Sequence, residues 1–156
     1  MNHRHPALLE VSLKVILNNR KGETLILKAQ PGGVFNNKYD LPGGRMNPSE
    51  VGNDLIELIN REMKEEVGNV KYTLKICPVS ISSFVNKSSA KPNRDGVQYI
   101  LFSAKYLKGD IIISDEHTGY KWQKLNKSNL NRYFHPVLSE LIRGYWQWNK
   151  RPNLKI

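Results

Sequence analysis

Short apolar runs alternate along the chain with polar, glycine-marked breaks. Val11 to Leu17 is rich in β-branched and apolar residues, and Glu23 to Ala29 repeats that character, so each predicts a strand. Asn18-Asn19-Arg20-Lys21-Gly22 between them has the composition of a hairpin turn. Gln30 to Asn37 reads as a Gly/Pro/Asn loop, and Lys38 to Gly44 as an extended piece closing in a tight glycine turn. The period then changes. Leu55, Ile56, Ile59, Met63 and Val67 recur at helical spacing and predict a helix over Asp54 to Val67. Asn53 or Asp54 is suited to cap it, Asp54 with Glu57 resembles a capping box, and Gly68 is suited to end the helix in a left-handed conformation. Tyr72 to Phe84 and Gly96 to Tyr106 read as strands around a polar loop, Asn86 to Asp95. Ile111 to Ile113 and Tyr120 to Lys124 are short strand candidates. Pro136 to Trp148 predicts a C-terminal helix with Val137, Leu138, Leu141, Ile142 and Tyr145 on one side.

This order of elements places the chain in the α+β class, a mixed β-sheet with helices packed on it. With 156 residues and neither repeat nor linker, a single domain over 1–156 is expected. A hydrophobic fraction of 39% with 24% charged residues excludes a disordered chain. No apolar run approaches the roughly 18 residues that span a bilayer, so no membrane partner is expected. The apolar stretch after Pro6 is broken by Glu10 and Lys14 and does not read as a signal peptide. Cys77 is the only cysteine, which rules out an internal disulfide and points to the cytoplasm. His3, His5, His117 and His135 show no zinc-ligand spacing with it. The net charge of +10 favours an anionic substrate, although the basic residues are scattered rather than gathered in a block.

The segment that carries chemistry is Arg61-Glu62-Met63-Lys64-Glu65-Glu66-Val67-Gly68. At about 100° per residue, Glu62, Glu65 and Glu66 share one helical stripe beside the apolar face. Like charges near the edge of a core call for a cation, and hard oxygen donors suit Mg²⁺ or Mn²⁺. The bland alternative is a solvated acidic face. The Gly43-Gly44 turn upstream favours the metal, because a backbone carbonyl there is within reach of it.

Leu41-Pro42-Gly43-Gly44, then Glu50, then Arg61-Glu62-Met63-Lys64-Glu65-Glu66-Val67-Gly68 resembles the Nudix box, and the lead-in from Tyr39 resembles that family's aromatic-x-Leu-Pro-Gly-Gly entry. Two positions depart from the pattern. Ten residues rather than seven separate Glu50 from Arg61, and Asn69 stands where an apolar residue is usual. Anchored on the helix, the alignment puts Asn53 at the family's first Glu position, so the role of Glu50, which in the family supports the Arg, is left open. Ser114-Asp115-Glu116-His117 followed by Tyr120-Lys121-Trp122 resembles a further family segment in which a loop acid assists the metal or the water.

The resemblance implies the Nudix α/β/α fold, a mixed β-sheet sandwiched between helices. It implies Mg²⁺-dependent hydrolysis of a diphosphate bond in a nucleotide-like small molecule. Glu62, Glu65, Glu66 and the Gly43 carbonyl would hold the metal, Arg61 would orient a carboxylate, and Glu116 or Glu66 would deprotonate water. Lys38, Gly44 and Arg94, with Lys87 and Lys91, are candidates to hold substrate, and Phe35 to meet the base. Trp122, Trp146 and Trp148 read as core or edge residues. Nucleoside triphosphates, nucleotide sugars, ADP-ribose, dinucleoside polyphosphates and capped RNA are all taken somewhere in the family. The alternative is a catalytically weak Nudix-like domain that binds nucleotide or RNA, and a homodimer is left open. A plain RNA-binding domain lacks its signature here.

Overall fold

The computed structural model describes residues 6–33, 35–85 and 94–150. The candidates His3, His5, Lys87 and Lys91 lie outside them. The strands are β1 (Leu9–Asn18), β2 (Thr24–Ala29), β3 (Tyr39–Asp40), β4 (Lys71–Val85), β5 (Gly96–Lys108) and β6 (His117–Gln123). The helices are α1 (Leu55–Val67), α2 (Leu130–Tyr133) and α3 (Pro136–Asn149), and a 3₁₀ turn covers Pro48–Glu50. All six strands join one sheet, β3-β2-β1-β5-β4, with β6 on β2. The β1–β5 pair is parallel and the others are antiparallel, so the sheet is mixed.

Each face carries its own core. Leu13, Val15, Leu17, Leu25 and Leu27 meet Leu58, Ile59, Met63 and Val67 of α1. Ile16, Ile26, Tyr99 and Leu101 meet Leu130 of α2 and Val137, Leu138, Leu141 and Ile142 of α3. The expected sandwich is therefore present. β1 is buried on both faces from Ser12 to Leu17, as a central strand must be.

One detail of the sheet places the Gly43–Gly44 turn. β1 and β2 pair only next to their hairpin, at Asn18 and Thr24, and then splay apart. The segment from Tyr39 to Met46 fills the gap. β3 pairs with β2, while Pro42 and Gly44 carbonyls accept from Val15 and Leu13, and Met46 N–H donates to Val11. The glycine turn is thus held in the middle of the sheet, not on a free loop.

Three local readings change, and the strand read over Tyr72 to Phe84 is present with an irregularity. Asp54 caps α1 by accepting from Ile56 N–H at 2.7 Å, without a capping box through Glu57. Gly68 has φ 87° and ψ −166°, a glycine conformation but not the left-handed helical one. Ile111 to Ile113 is not a strand: Ile112 donates its N–H to Val67 and the segment pairs with no strand of the described residues. β4 is one strand with a bulge, the register moving from Lys75 opposite Ser103 to Ser80 opposite Leu101. Pro78, which has no N–H to give a ladder, sits in that bulge. Among the described residues no helix is long and apolar enough to cross a membrane.

Candidate functional site

The Gly43–Gly44 turn lies across the last turns of α1, and two groups of charged side chains meet it. Gly43 has φ 118°, and a Cβ there would stand 2.2 Å from the Leu13 carbonyl oxygen, so only glycine fits. Its N–H donates to Glu66 Oε2 at 2.7 Å. Gly44 is glycine for a different reason: a Cβ would stand 2.4 Å from Glu62 Oε2. The backbone of the turn therefore rests directly on the two buried carboxylates of α1, four residues apart.

Glu66 borders a cavity of about 320 Å³, together with Gly43, Gly44, Phe35, Glu116 and His117. His117 Nε2 lies 3.3 Å from Glu66 Oε1, and neither ring nitrogen completes a hydrogen bond to a described residue. Nε2 thus faces the Glu66 carboxylate, and Nδ1 is buried with no partner among the described residues. Burial works to raise the Glu66 pKa, but His117, the Lys14 ammonium and the Gly43 N–H outweigh it and hold it below the ordinary value. Glu62 is shifted the other way. Burial raises it, and the neighbouring Glu66 and Glu65 add to that against the pull of Arg61.

The outer group is organised by Arg61. Its guanidinium reaches Glu50 at 2.8 Å, Glu62 at 2.7 Å and Glu65 at 2.8 Å. Glu50, not Asn53, is the residue brought to Arg61, so the longer connection is absorbed without moving the carboxylate away. The 3₁₀ turn explains this, since Glu50 Oε2 also accepts from Asn47 N–H at 2.7 Å and fixes its own loop. Glu65 is the outermost of the three helix acids, its side chain 56% exposed.

Several expected substrate residues are placed elsewhere. Lys38 Nζ donates to the carbonyls of Asn131 and Arg132, closing the end of α2. Arg94 pairs with Glu10 at 3.0 Å. Neither borders the cavity. Phe35 does, stacked at a tilt near Tyr99 and His135.

Lys14, Asp40, Arg45 and Tyr99 also border the cavity, and the sequence reading missed them. Lys14 is 4% exposed and forms an ion pair of 2.8 Å with Asp40. Burial opposes its charge, yet Asp40 and Glu66 more than compensate and raise its pKa. A signal was available. Lys14 interrupts an otherwise apolar central strand, and a lysine there requires a carboxylate partner.

Three carboxylates and a peptide carbonyl are donors that fit Mg²⁺ or Mn²⁺ chemically. As the side chains lie, no three Asp, Glu, His or Cys groups among the described residues stand close enough to hold a metal. Arg61 draws Glu62 and Glu65 outward, while Glu66 faces Gly43 and His117. Ligation therefore requires Glu62 and Glu65 to turn from Arg61.

The comparisons with known proteins agree with this geometry. The NUDIX domain model matches residues 8–144. The chain is 30% identical over 134 residues to the nucleoside triphosphatase NudI of Klebsiella pneumoniae strain 342, covering 80% of this chain and 91% of that one. It is 27% identical over 112 residues to NudI of an Escherichia coli strain, ED1a, covering 70% and 77%. A MutT protein structure from Methanosarcina mazei Go1 superposes with a TM-score of 0.71 at 22% identity, covering 96% of this chain and 99% of that one. An Ap4A hydrolase from C. elegans superposes with a TM-score of 0.67 at 19% identity, covering 91% and 98%. Likeness at those identities speaks for the fold, and the domain match over most of the length speaks for descent: the chain belongs to the Nudix hydrolase family.

Proposed function

We propose that this Nudix pyrophosphohydrolase cleaves a phosphoanhydride of a nucleoside triphosphate with Mg²⁺. The relationship to the NudI proteins, named as nucleoside triphosphatases, supports the substrate class. The single observation that carries the site is the Gly43 N–H on Glu66, which fixes the glycine turn over the acids of α1.

In this reading Glu62, Glu65, Glu66 and the Gly43 carbonyl hold the metal. When bound, Mg²⁺ neutralises the diphosphate and lowers the pKa of water. The chain's own residues do the rest. Arg61, anchored by Glu50, neutralises Glu62 and Glu65 while no metal is bound and releases them to it. Glu116, exposed at the cavity, accepts the proton of the attacking water, with Glu66 the second choice. Arg45, at the same cavity and paired with Glu10 at 3.1 Å, is the cation offered to the phosphates, and Phe35 meets the base. Hydrolysis of this kind depends mainly on positioning and charge. The exposed, unpaired Cys77 suits the reducing cytoplasm.

The test is a panel of nucleoside triphosphates, nucleotide sugars and dinucleoside polyphosphates assayed with and without Mg²⁺, with release of phosphate and pyrophosphate read separately. Triphosphates are expected to lead, and Glu66→Gln is expected to lower turnover at least about 10³-fold with the fold intact. Metal-independent turnover, or wild-type rates in Glu66→Gln, would overturn the assignment.

A further inference from the structure

A second cavity of about 650 Å³, twice the volume of the one at Glu66, lies on the α3 face of the same strand pair. Ser12 and Lys14 border the first cavity, and Ile16 and Asn18 border the second, with Ser103 and Lys105 of β5 beside them. The β1–β2 hairpin brings Arg20, and the last turns of α3 bring Tyr145 and Trp146.

The charge of this cavity is one-sided. No Asp or Glu among the described residues borders it. Arg20 and Lys105 are exposed, and neither makes an ion pair with a described residue. Lys75 faces Ser103 across β4 and β5, which sets it diagonally from Lys105, and its Nζ lies 5.9 Å from the Trp148 ring centre. Cations gathered on one sheet face repel each other until an anion arrives. Tyr145 and Trp146, half-buried against the core, border the same cavity, and aromatic rings are surfaces on which a base stacks. The volume falls within the range of cavities that enclose a small organic ligand.

We propose that this cavity is a second nucleotide site, separate from the acids of α1. It takes a 5′-phosphorylated nucleobase, either a free mononucleotide or the end of an RNA strand. The phosphate meets Arg20 and Lys105, and the base lies against Tyr145 and Trp146. The protein supplies the cations itself, so binding needs no divalent metal. The proposal does not rest on the hydrolase reading.

The experiment titrates the full chain in EDTA with AMP, adenosine and a 5′-phosphorylated RNA hexamer, read by calorimetry. Saturable binding of AMP, with adenosine weaker, is expected. The Arg20→Gln/Lys105→Gln variant, altered only at exposed positions, is expected to loosen it about tenfold while leaving turnover unchanged. A hexamer bound ten times tighter than AMP or better assigns an RNA end; anything less assigns a mononucleotide. Glu66→Gln is expected to keep this binding while losing turnover, which separates the two sites. No saturable binding of either phosphorylated probe overturns the proposal. So do adenosine binding as tight as AMP, an affinity indifferent to the double variant, or binding lost in Glu66→Gln.

Discussion

Lys14 Nζ donates to Asp40 Oδ2 at 2.8 Å, to the Leu41 carbonyl at 3.2 Å and to the Gly43 carbonyl at 2.5 Å, so one ammonium on β1 ties down both ends of the glycine turn. All three of its protons are spent on the segment that wedges β1 from β2. The same carbonyl of Gly43 is the one expected to face a metal, so as the side chains lie it already accepts from the Lys14 ammonium.

Removing that ammonium should leave Asp40 buried and unpaired. Lys14→Met is expected to cost about 3–5 kcal/mol of unfolding free energy, the usual penalty for half of a buried pair. Lys14→Met/Asp40→Leu should recover most of it, because neither buried charge then remains. Urea denaturation of both variants checks this, and equal losses in the two would show that the pair does not act as a unit.

The two glycines of the turn should fail differently. Gly43→Ala meets backbone at Leu13 and must hold a positive φ, so a stability loss of about 1–3 kcal/mol is expected. Gly44→Ala meets only the carboxylate end of Glu62, which can swing aside. It is expected to keep its melting temperature within a few degrees and lose activity by about tenfold or more, since Glu62 is displaced. Thermal melts alongside rate measurements decide it. A destabilised Gly44→Ala with unchanged kcat would contradict the placement of Glu62.

Much of this was readable from local pattern, and what was missed was non-local. Periodicity shows α1 and α3 because their buried residues lie three and four apart along one element. The strands β1, β2 and β5 are legible as apolar runs. Lys14 and Asp40 are 26 residues apart, and nothing in the order of residues says that the Tyr39–Met46 segment inserts between β1 and β2. Ile111 to Ile113 has strand composition but no strand to pair with, and β-propensity cannot supply one. Lys38 and Arg94 looked like substrate cations because side-chain partners such as the α2 carbonyls and Glu10 are invisible before folding.

The support of Arg61 is decided by position rather than by alignment. Glu50→Gln is expected to lower kcat/KM by about tenfold to a hundredfold, the usual range for a residue that steadies a metal-binding carboxylate. Asn53→Ala, on the exposed turn before α1, should leave it within about twofold. Steady-state kinetics on the two variants suffice, and the reverse ranking would mean that Asn53 takes the role in solution.

The two buried acids of α1 should titrate apart. Glu66 is held below its ordinary value of 4.5 by His117, Lys14 and Gly43 despite its burial, and Glu62 is raised above 4.5 chiefly by burial. In metal-free protein, carboxyl-carbon NMR should therefore show Glu66 losing its proton first as pH rises. The signs for stability are opposite. A depressed folded pKa means that the Glu66 contribution is full above the unfolded value and is lost as pH falls through the folded one. A raised folded pKa means that the Glu62 contribution is present at low pH and is lost as pH rises through its folded value. Glu66→Gln should accordingly flatten the acid side of the stability curve below about pH 4.5, and Glu62→Gln should stabilise the metal-free chain near neutrality. Chemical denaturation across pH 3 to 7 reads both, and a Glu62 that titrates below Glu66 would refute the arrangement of charges described for the turn.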